Sequence, residues 1–510
     1  MSHPKAQSAD IALLLEGTFP YVSGGVSSWI NQIVRAYPEY RYAIVFLGSR
    51  REDYGAFKYP LPDNVVHFEE HYLHDPGQWR PQPAARRGDA QGQALVQNLL
   101  DAFRHGPASP EVMAAFEAVT RQMLPGGSVQ LGDFLYSKRA WDLICEVYRE
   151  HCADPSFVDF FWTVRIMLQP LWLLARVAQQ LPAVRAVHCA STGYAGFLGA
   201  LLAQTRGTPL ILSEHGIYTK ERKIDLFKSE WIRDNRNVFQ RDPTELSYFR
   251  QMWIHFFEWL GRYCYQHADP IIALYEANRQ RQISDGAPPE RTSSIPNGIR
   301  LERFAPLRAQ RPSEPPPVLC LIGRVVPIKD IKTFIRAMRR VANQRPDAQG
   351  WIAGPAEEDP AYAEESRNLV RSLGLQEHVR FLGMQRVEEL MPRIGLVVLS
   401  SISEALPLVL LEGYAAGVPA VSTDVGSCRQ LIEGLDEEDR ALGPSGVVVP
   451  ITEPQQLADA ALQLLGDTAR WQAASRAAIA RVERYYSDRL MFDRYRQVYE
   501  RALAGAPGAA

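Results

Sequence analysis

Cysteine is scarce: six residues in 510, at 145, 152, 189, 264, 320 and 428, form no Cys-x-x-Cys pair and no regular framework. That excludes a disulfide scaffold and predicts reduced thiols in a cytosol. Net charge is nearly absent, at -2. A general nucleic-acid binder would carry a strong basic excess, so no nucleic-acid partner is expected. Long apolar runs are missing too. The longest, Pro170 to Ala175 and Tyr194 to Ala203, fall well short of the roughly 20 residues of a membrane span. The opening Met-Ser-His-Pro-Lys-Ala-Gln-Ser-Ala-Asp is polar, without an apolar signal region. The expectation is a soluble, cytoplasmic protein that meets a membrane only peripherally. No Gly-x-Gly-x-x-Gly follows the first apolar run, which counts against an NAD dehydrogenase.

What is present is ordinary for a globular protein, with 46% hydrophobic and 22% charged residues. At 510 residues the chain is too long for one core, so two domains are expected. Ile11 to Leu15 reads as a buried strand, Val26 to Ala36 as a helix and Tyr42 to Leu47 as a second strand. Residues near 85 to 180 are rich in Ala, Leu, Arg and aromatics at helical spacing, and read as a mainly helical insertion. Alternation resumes at Ala186 to Ala190, Gly193 to Thr205 and Leu210 to Ser213. A long aromatic helix, Tyr248 to His267, and a strand, Pro270 to Leu274, follow.

Arg311-Pro-Ser-Glu-Pro-Pro-Pro317 reads as the linker, because proline at this density continues neither a helix nor a central strand. Beyond it, strands are predicted at Val318–Ile322, Gly350–Ala353, Val379–Leu382, Leu396–Ser400, Pro419–Ser422 and Val447–Val449, with helices between. This pattern predicts a parallel sheet covered on both faces. The expected domains are 1–310 with the insertion at about 85–180, then 318–480. A C-terminal helical stretch, 481–510, is expected to pack back on the first domain. Two doubly wound domains would place a ligand in the cleft between them, outside the strand carboxyl ends.

Two glutamates stand eight residues apart in Ser403-Glu404-Ala405-Leu406-Pro407-Leu408-Val409-Leu410-Leu411-Glu412. Pro407 suits the first position of a helix running to about Ala416. Glu404 then lies in the loop, Glu412 one turn in, and the amides of Leu408 and Val409 open an anion site. On spacing alone, both glutamates equally suit a helix N-terminus electrostatically. Arg324 and Lys329 follow a predicted strand end upstream, and offer phosphate a planar fork and a mobile charge. His67-Phe-Glu-Glu-His71 matches a zinc pattern that needs a helix, whereas its surroundings predict a short strand or loop, so no metal is expected.

Several segments together resemble glycosyltransferase family 4: Gly323-Arg324…Lys329-Asp330, Val379-Arg380-Phe-Leu-Gly383, Ser403-Glu404…Pro407…Glu412-Gly413…Gly417-Val-Pro419, Ser422-Thr-Asp-Val-Gly426 and Ile295-Pro-Asn-Gly298…Arg303-Phe304. The resemblance implies a retaining hexosyltransferase of the α/β GT-B fold, with two doubly wound Rossmann-like domains facing a cleft. It implies a UDP-sugar donor, UDP-glucose or UDP-N-acetylhexosamine, with no metal and no cofactor. Arg324 and Lys329 would hold the donor diphosphate with Arg380, Leu408 and Val409. Glu404 would lie by the donor sugar and Glu412 would bind the ribose. The Gly24-Gly25 loop would bring backbone amides near the diphosphate and acceptor, although a tight turn with positive φ would equally require glycine. His215 would contact the sugar and reaction centre.

More narrowly, Glu16 to Trp29 and Glu214 to Arg222 resemble the cytosolic glycosyltransferases of Pel-type exopolysaccharide synthesis. That implies a glycan acceptor and contact with an inner-membrane polysaccharide synthase or export complex. Two other readings stay open: a nucleotide-sugar epimerase on the same fold, and a catalytically silent scaffold in such a complex.

Overall fold

Near-continuous apolar runs become the middle of a sheet. β1 (Ser8–Glu16) is fully buried from Ile11 to Leu15 in the computed structural model, which describes residues 3–75, 81–103, 109–229, 231–236 and 246–505. It pairs in parallel with β2 (Tyr42–Gly48) and with β4 (Ala183–Cys189), Leu13 facing Ile44 on one side and His188 on the other. With β3 (Val65–Tyr72), β5 (Leu210–Glu214), β6 (Ala268–Ala273) and β7 (Thr292–Ser294), the order is β3-β2-β1-β4-β5-β6-β7. Chain order reverses between β1 and β4, which is where an open parallel sheet leaves a crevice at its carboxyl end.

The insertion between β3 and β4 is helical: Ala90–Phe103, Pro110–Gln122, Leu131–Tyr136, Lys138–His151 and Phe157–Gln180, with 104–108 outside the described residues. The last of these contains an 18-residue window of mean hydropathy 1.3, long and apolar enough to cross a membrane by length and composition alone. Counting only uninterrupted apolar runs passes over it, because Asp159 and Arg165 break the run without lowering the average much. Ten of its side chains, among them Phe160, Leu171 and Leu174, are buried in this unit.

The second sheet has the order β10-β9-β8-β11-β12-β13. Its strands are β8 (Val318–Ile322), β9 (Gln349–Ala353), β10 (Val379–Gly383), β11 (Leu396–Leu399), β12 (Ala420–Thr423) and β13 (Gly446–Val449), paired in parallel throughout. Here chain order reverses between β8 and β11.

The chain forms two compact units. One comprises residues to Ala273, Arg279–Ser293 and the chain from Arg496; the other comprises Leu274–Asn278 and Ser294–Tyr495. The chain therefore changes unit at Ser293–Ser294 and not at the proline run, which lies within the second unit. Arg311 explains this: it donates to the Met391 and Ile394 carbonyls at 2.7 and 3.2 Å and lies over the Trp471 ring, tying the run down. In the first unit, the Tyr499 hydroxyl meets His188 Nδ1 at 2.9 Å, and Arg496 pairs with Glu39.

One fully buried ion pair organises the second unit. Arg481 Nε donates to Asp439 Oδ1 at 2.6 Å. Its other nitrogens donate to the Ile432, Asp439 and Gly443 carbonyls and to Ser445 Oγ at 2.9–3.0 Å. Removing the guanidinium strands the Asp439 carboxylate and three carbonyls in the core. Arg481→Met is expected to destabilise the second unit by about 3–5 kcal/mol, measured by urea unfolding.

Candidate active site

In the second unit, two loops follow the strands that flank the reversal of chain order. The turn after β8 carries Arg324 and Lys329, and the loop after β11 carries Glu404. Backbone hydrogen bonds stitch them together. Ser400 Oγ donates to the Lys329 and Asp330 carbonyls at 2.9 and 3.0 Å, and the Ile402 amide donates to the Ile328 carbonyl at 3.0 Å. Asp330 takes a left-handed φ of 43° and caps the Ile331–Gln344 helix through the Thr333 amide at 3.2 Å. That bend turns Lys329 toward the neighbouring loop, where its Nζ lies 2.5 Å from Glu404 Oε1. Ser401 Oγ donates to the same carboxylate oxygen at 2.6 Å. The ion pair is largely buried, with side-chain exposures of 21% and 14%.

The third strut is Gly426, at φ 55°. A Cβ there would stand 2.3 Å from the Glu404 carbonyl oxygen, so only glycine lets this loop lie against the Glu404 segment. The Ser427 amide then donates to the Ala405 carbonyl at 2.9 Å.

The helix after this loop runs Leu408–Ala415. Pro407 precedes it with ψ 105°, so it is the capping residue and not the first helical one, as the sequence had indicated. An extended ψ cannot continue into a helical turn. No side chain caps this helix, and the amides of Leu408 and Val409 open it. Glu412 lies one turn in, partly buried, with no hydrogen-bond or ion-pair partner among the described residues. Burial pushes its carboxyl up to about 7, opposed by Arg303 and assisted by Glu388. Arg303 is itself held by Glu388, at 2.5 Å.

Arg324 is half-exposed and spans both oxygens of Glu358, at 2.5 and 2.7 Å. Such a surface pair is weak and exchangeable. Arg380 is placed differently from the others. It is the second residue of β10 and, through Trp351, stands level with Cys320, three residues short of Gly323. The structure does not bring it to the strand end where Arg324 and Lys329 stand.

In the first unit, the loop after β1 leads to the Gly25–Ala36 helix. Gly24 is extended at φ 169°, and neither Gly24 nor Gly25 has the positive φ that a tight turn would need; Gly17, at 60°, has it instead. A Cβ on either would meet nothing within 4 Å. The fold itself therefore places no demand for glycine at these two exposed positions. His215 immediately follows β5, buried, with its ring 4.4 Å from Trp29 of the Gly25–Ala36 helix. Burial pushes its pKa down to about 3, so the imidazole is neutral at ordinary pH, and Nε2 has no hydrogen-bond partner.

Glu214, just before it, is fully buried, and burial pushes its pKa up. It accepts from Tyr265 (2.7 Å), Gln282 (3.0 Å), Thr192 (3.2 Å) and the Tyr218 amide (3.4 Å), which fixes the backbone on both sides of His215. Glu16, at the end of β1, accepts from the Tyr218 hydroxyl at 2.6 Å and the Ala195 amide at 3.3 Å.

His67 and His71 lie in β3, where alternation puts them on one face with Glu69 between, each imidazole 3.4 Å from that carboxylate. Burial raises the Glu69 pKa, and hydrogen bonds from both histidines overcome it, to about 2. No group of three or more His, Cys, Asp or Glu among the described residues is arranged to hold a metal ion.

Sequence reasoning missed Ser401, Glu358 and the Arg303–Glu388 pair. Ser401 gives no signal beyond standing three residues before Glu404, and Glu358 lies on a loop after a different strand.

Comparisons with known proteins fit this geometry. The family described as Domain of unknown function (DUF3492) matches residues 9–290, and that described as Glycosyl transferases group 1 matches 305–481. The D-inositol 3-phosphate glycosyltransferase 1 of Catenulispora acidiphila is 30% identical over 329 residues, 61% of this chain and 71% of that protein. The alpha-D-kanosaminyltransferase of Streptomyces kanamyceticus is 25% identical over 58% of this chain and 72% of its own length. An exopolysaccharide phosphotransferase of Streptomyces coelicolor is 36% identical over 204 residues, but the match spans only 20% of that protein. Among solved structures, Anabaena HepE in complex with UDP superposes with a TM-score of 0.57 at 16% identity, covering 96% of this chain and all of that one. Sucrose-phosphate synthase from Thermosynechococcus elongatus gives 0.55 at 18%, covering 98% and 100%. At these identities the likeness shows the fold, GT-B.

The raised Glu412 pKa has a stability consequence. Between the unfolded value near 4.5 and about 7, the folded chain binds more protons than the unfolded one, so this group's contribution falls as pH rises through that window. Glu412→Gln is expected to unfold like the native protein at pH 5. At pH 8 it should be more stable by about 3 kcal/mol in urea unfolding.

Proposed function

Since this chain belongs to the family matched over residues 9–290 and its second unit is a group 1 glycosyltransferase domain, we propose that it extends a Pel-type exopolysaccharide. It moves glucose or an N-acetylhexosamine from a UDP-sugar, with retention at the anomeric carbon and without a metal. The observation that carries this reading is the Lys329–Glu404–Ser401 cluster beside the uncapped start of the Leu408–Ala415 helix. It gathers cationic and amide donors where the sheet's strand order reverses.

The chemistry follows from those groups. The bond from the anomeric carbon to the donor diphosphate breaks, and negative charge grows on the departing phosphate. Lys329, Arg324 and the amides of Leu408 and Val409 stabilise that charge in place, the work a metal does in other enzymes. Arg324 leaves the exposed Glu358 pair for phosphate at little cost. The Glu412 carboxylate accepts hydroxyl hydrogens from the ribose. Glu404 holds Lys329 toward the diphosphate and presents its other oxygen to the donor sugar. The acceptor hydroxyl attacks the face the phosphate is leaving. Its proton passes to the phosphate oxygen, a new glycosidic bond forms, and UDP departs. His215, neutral and with a free Nε2, hydrogen-bonds a sugar hydroxyl. The exposed Gly24-Gly25 backbone leaves room for substrate against its amides.

The uridine nucleotide rests on the likeness of fold to HepE, which was solved with UDP and with UDP-glucose. The Pel-type product rests on the resemblance of Glu16 to Trp29 and of Glu214 to Arg222 to PelF. On that reading the enzyme works in the cytoplasm, on a glycan acceptor supplied at an inner-membrane synthase and export complex.

Lys329→Ala is expected to lower turnover about 100-fold or more in a chain that still folds cooperatively, with a lowered thermal transition because the largely buried Glu404 loses its ion-pair partner. Near-normal turnover would sink the assignment. UDP release should require acceptor, survive chelator and yield a product whose anomeric configuration, read by NMR, matches the donor's. Gly24→Ala should melt within a degree or two of the native protein yet lose about tenfold in kcat/KM, because its Cβ meets only substrate.

A further inference from the structure

Both matched families stop short of the last helix, Asp488–Ala504: they cover residues 9–290 and 305–481. Yet one side chain of this helix reaches the strand that leads to the candidate sugar-binding histidine. Tyr499 is fully buried in the first unit, its ring edge-on to Tyr37 and Tyr40 at 5.5 and 5.9 Å. Its hydroxyl meets His188 Nδ1 at 2.9 Å, and His188 Nε2 meets Ser213 Oγ at 2.8 Å. The His188 imidazole therefore bridges the helix to β5, two residues before His215.

Burial pushes the His188 pKa down to about 3, with His215 adding to the effect, so the ring is neutral. A neutral imidazole has a single N–H. One hydroxyl donates to it while it donates to the other, and the two bonds together fix its tautomer and its tilt. Contact passes the tilt on. The Trp29 ring stands at 89° to the His188 ring, centroids 5.6 Å apart, and lies 4.4 Å from the His215 ring. All five side chains are buried, and a close-packed interior transmits small displacements. His215 Nε2 has no hydrogen-bond partner among the described residues, so packing sets its direction.

We propose that Tyr499 is a positioning residue for His215, acting through His188, Ser213 and Trp29. Its effect on turnover rests on the reading of His215 as a sugar contact; the link between the two rings does not. Docking of the helix on the first unit is served elsewhere. Arg496 pairs with Glu39, and Arg185 Nη2 donates to the Leu503 carbonyl at 3.1 Å. What the Tyr499 hydroxyl adds is direction at His188. Losing it leaves Nδ1 buried without its partner, which frees the ring to tilt against Trp29.

The test uses the full chain with isotopically labelled histidine and reads the ring-nitrogen signals of its 11 histidines by NMR. His188 and His215 are assigned by the signals lost in His188→Gln and His215→Gln. Tyr499→Phe removes one hydroxyl and keeps the ring. It should move the His188 and His215 signals together, and Ser213→Ala, at the other end of the same imidazole, should do likewise. Arg496→Gln, which releases the same helix from Glu39, should leave both in place. In turnover of UDP-N-acetylglucosamine with an N-acetylglucosamine tetrasaccharide, Tyr499→Phe should lower kcat about tenfold with the donor KM within about twofold. Arg496→Gln should match the native enzyme. Three outcomes overturn the proposal: a His215 signal unmoved in Tyr499→Phe, the same movement in Arg496→Gln, or a kcat that falls no further in Tyr499→Phe than in Arg496→Gln. Absence of transfer by the native protein counts against the proposed function instead, and the NMR comparison still decides the link.

Discussion

The second unit's candidate site is built around a single salt link made between loops that lie far apart in sequence. Lys329 and Glu404 are 75 residues apart, yet their charged atoms lie at 2.5 Å. Burying both is costly unless the geometry is held and the remaining oxygens are served. The fold meets both conditions. Ser400 fixes the Lys329 backbone, Asp330 bends it, Ser401 donates to Glu404, and Gly426 lets the Glu404 segment lie close. The same constraint explains why the loops after β8 and β11 carry the charged residues. These strands are neighbours although β9 and β10 separate them in the chain.

The first unit solves the opposite problem. Where the second gathers charge, the first removes it around His215. The imidazole sits under Trp29 and is kept neutral by burial. Glu214 beside it is saturated by Tyr265, Gln282, Thr192 and the Tyr218 amide, so it steadies the segment without offering an open oxygen.

Legibility in the sequence followed the range of the forces involved. The Tyr248–His267 helix and the strand Val318–Ile322 lie where side-chain periodicity and β-branched runs put them, because those patterns report local burial. The linker was misplaced because proline density reports backbone stiffness and says nothing of Arg311 pinning the run to Met391 and Ile394. Pro407 was placed one residue too far into its helix because its ring fixes φ, whereas ψ decides where the helix begins. Gly24 and Gly25 looked like turn glycines, but the positive φ belongs to Gly17.

Taken alone, the sequence determined the alternation of strands and helices, two parallel sheets, and the segments that carry Arg324, Lys329, Glu404 and Glu412. These are consequences of spacing and residue chemistry. Only the tertiary structure decided that Lys329 is held by Glu404, that Arg324 rests on Glu358 and that Arg380 stands away from the strand end. It also decided that His215 is neutral and that Glu412 is protonated to about 7. Strand order and burial set each of these, and both depend on which distant segments come to lie side by side.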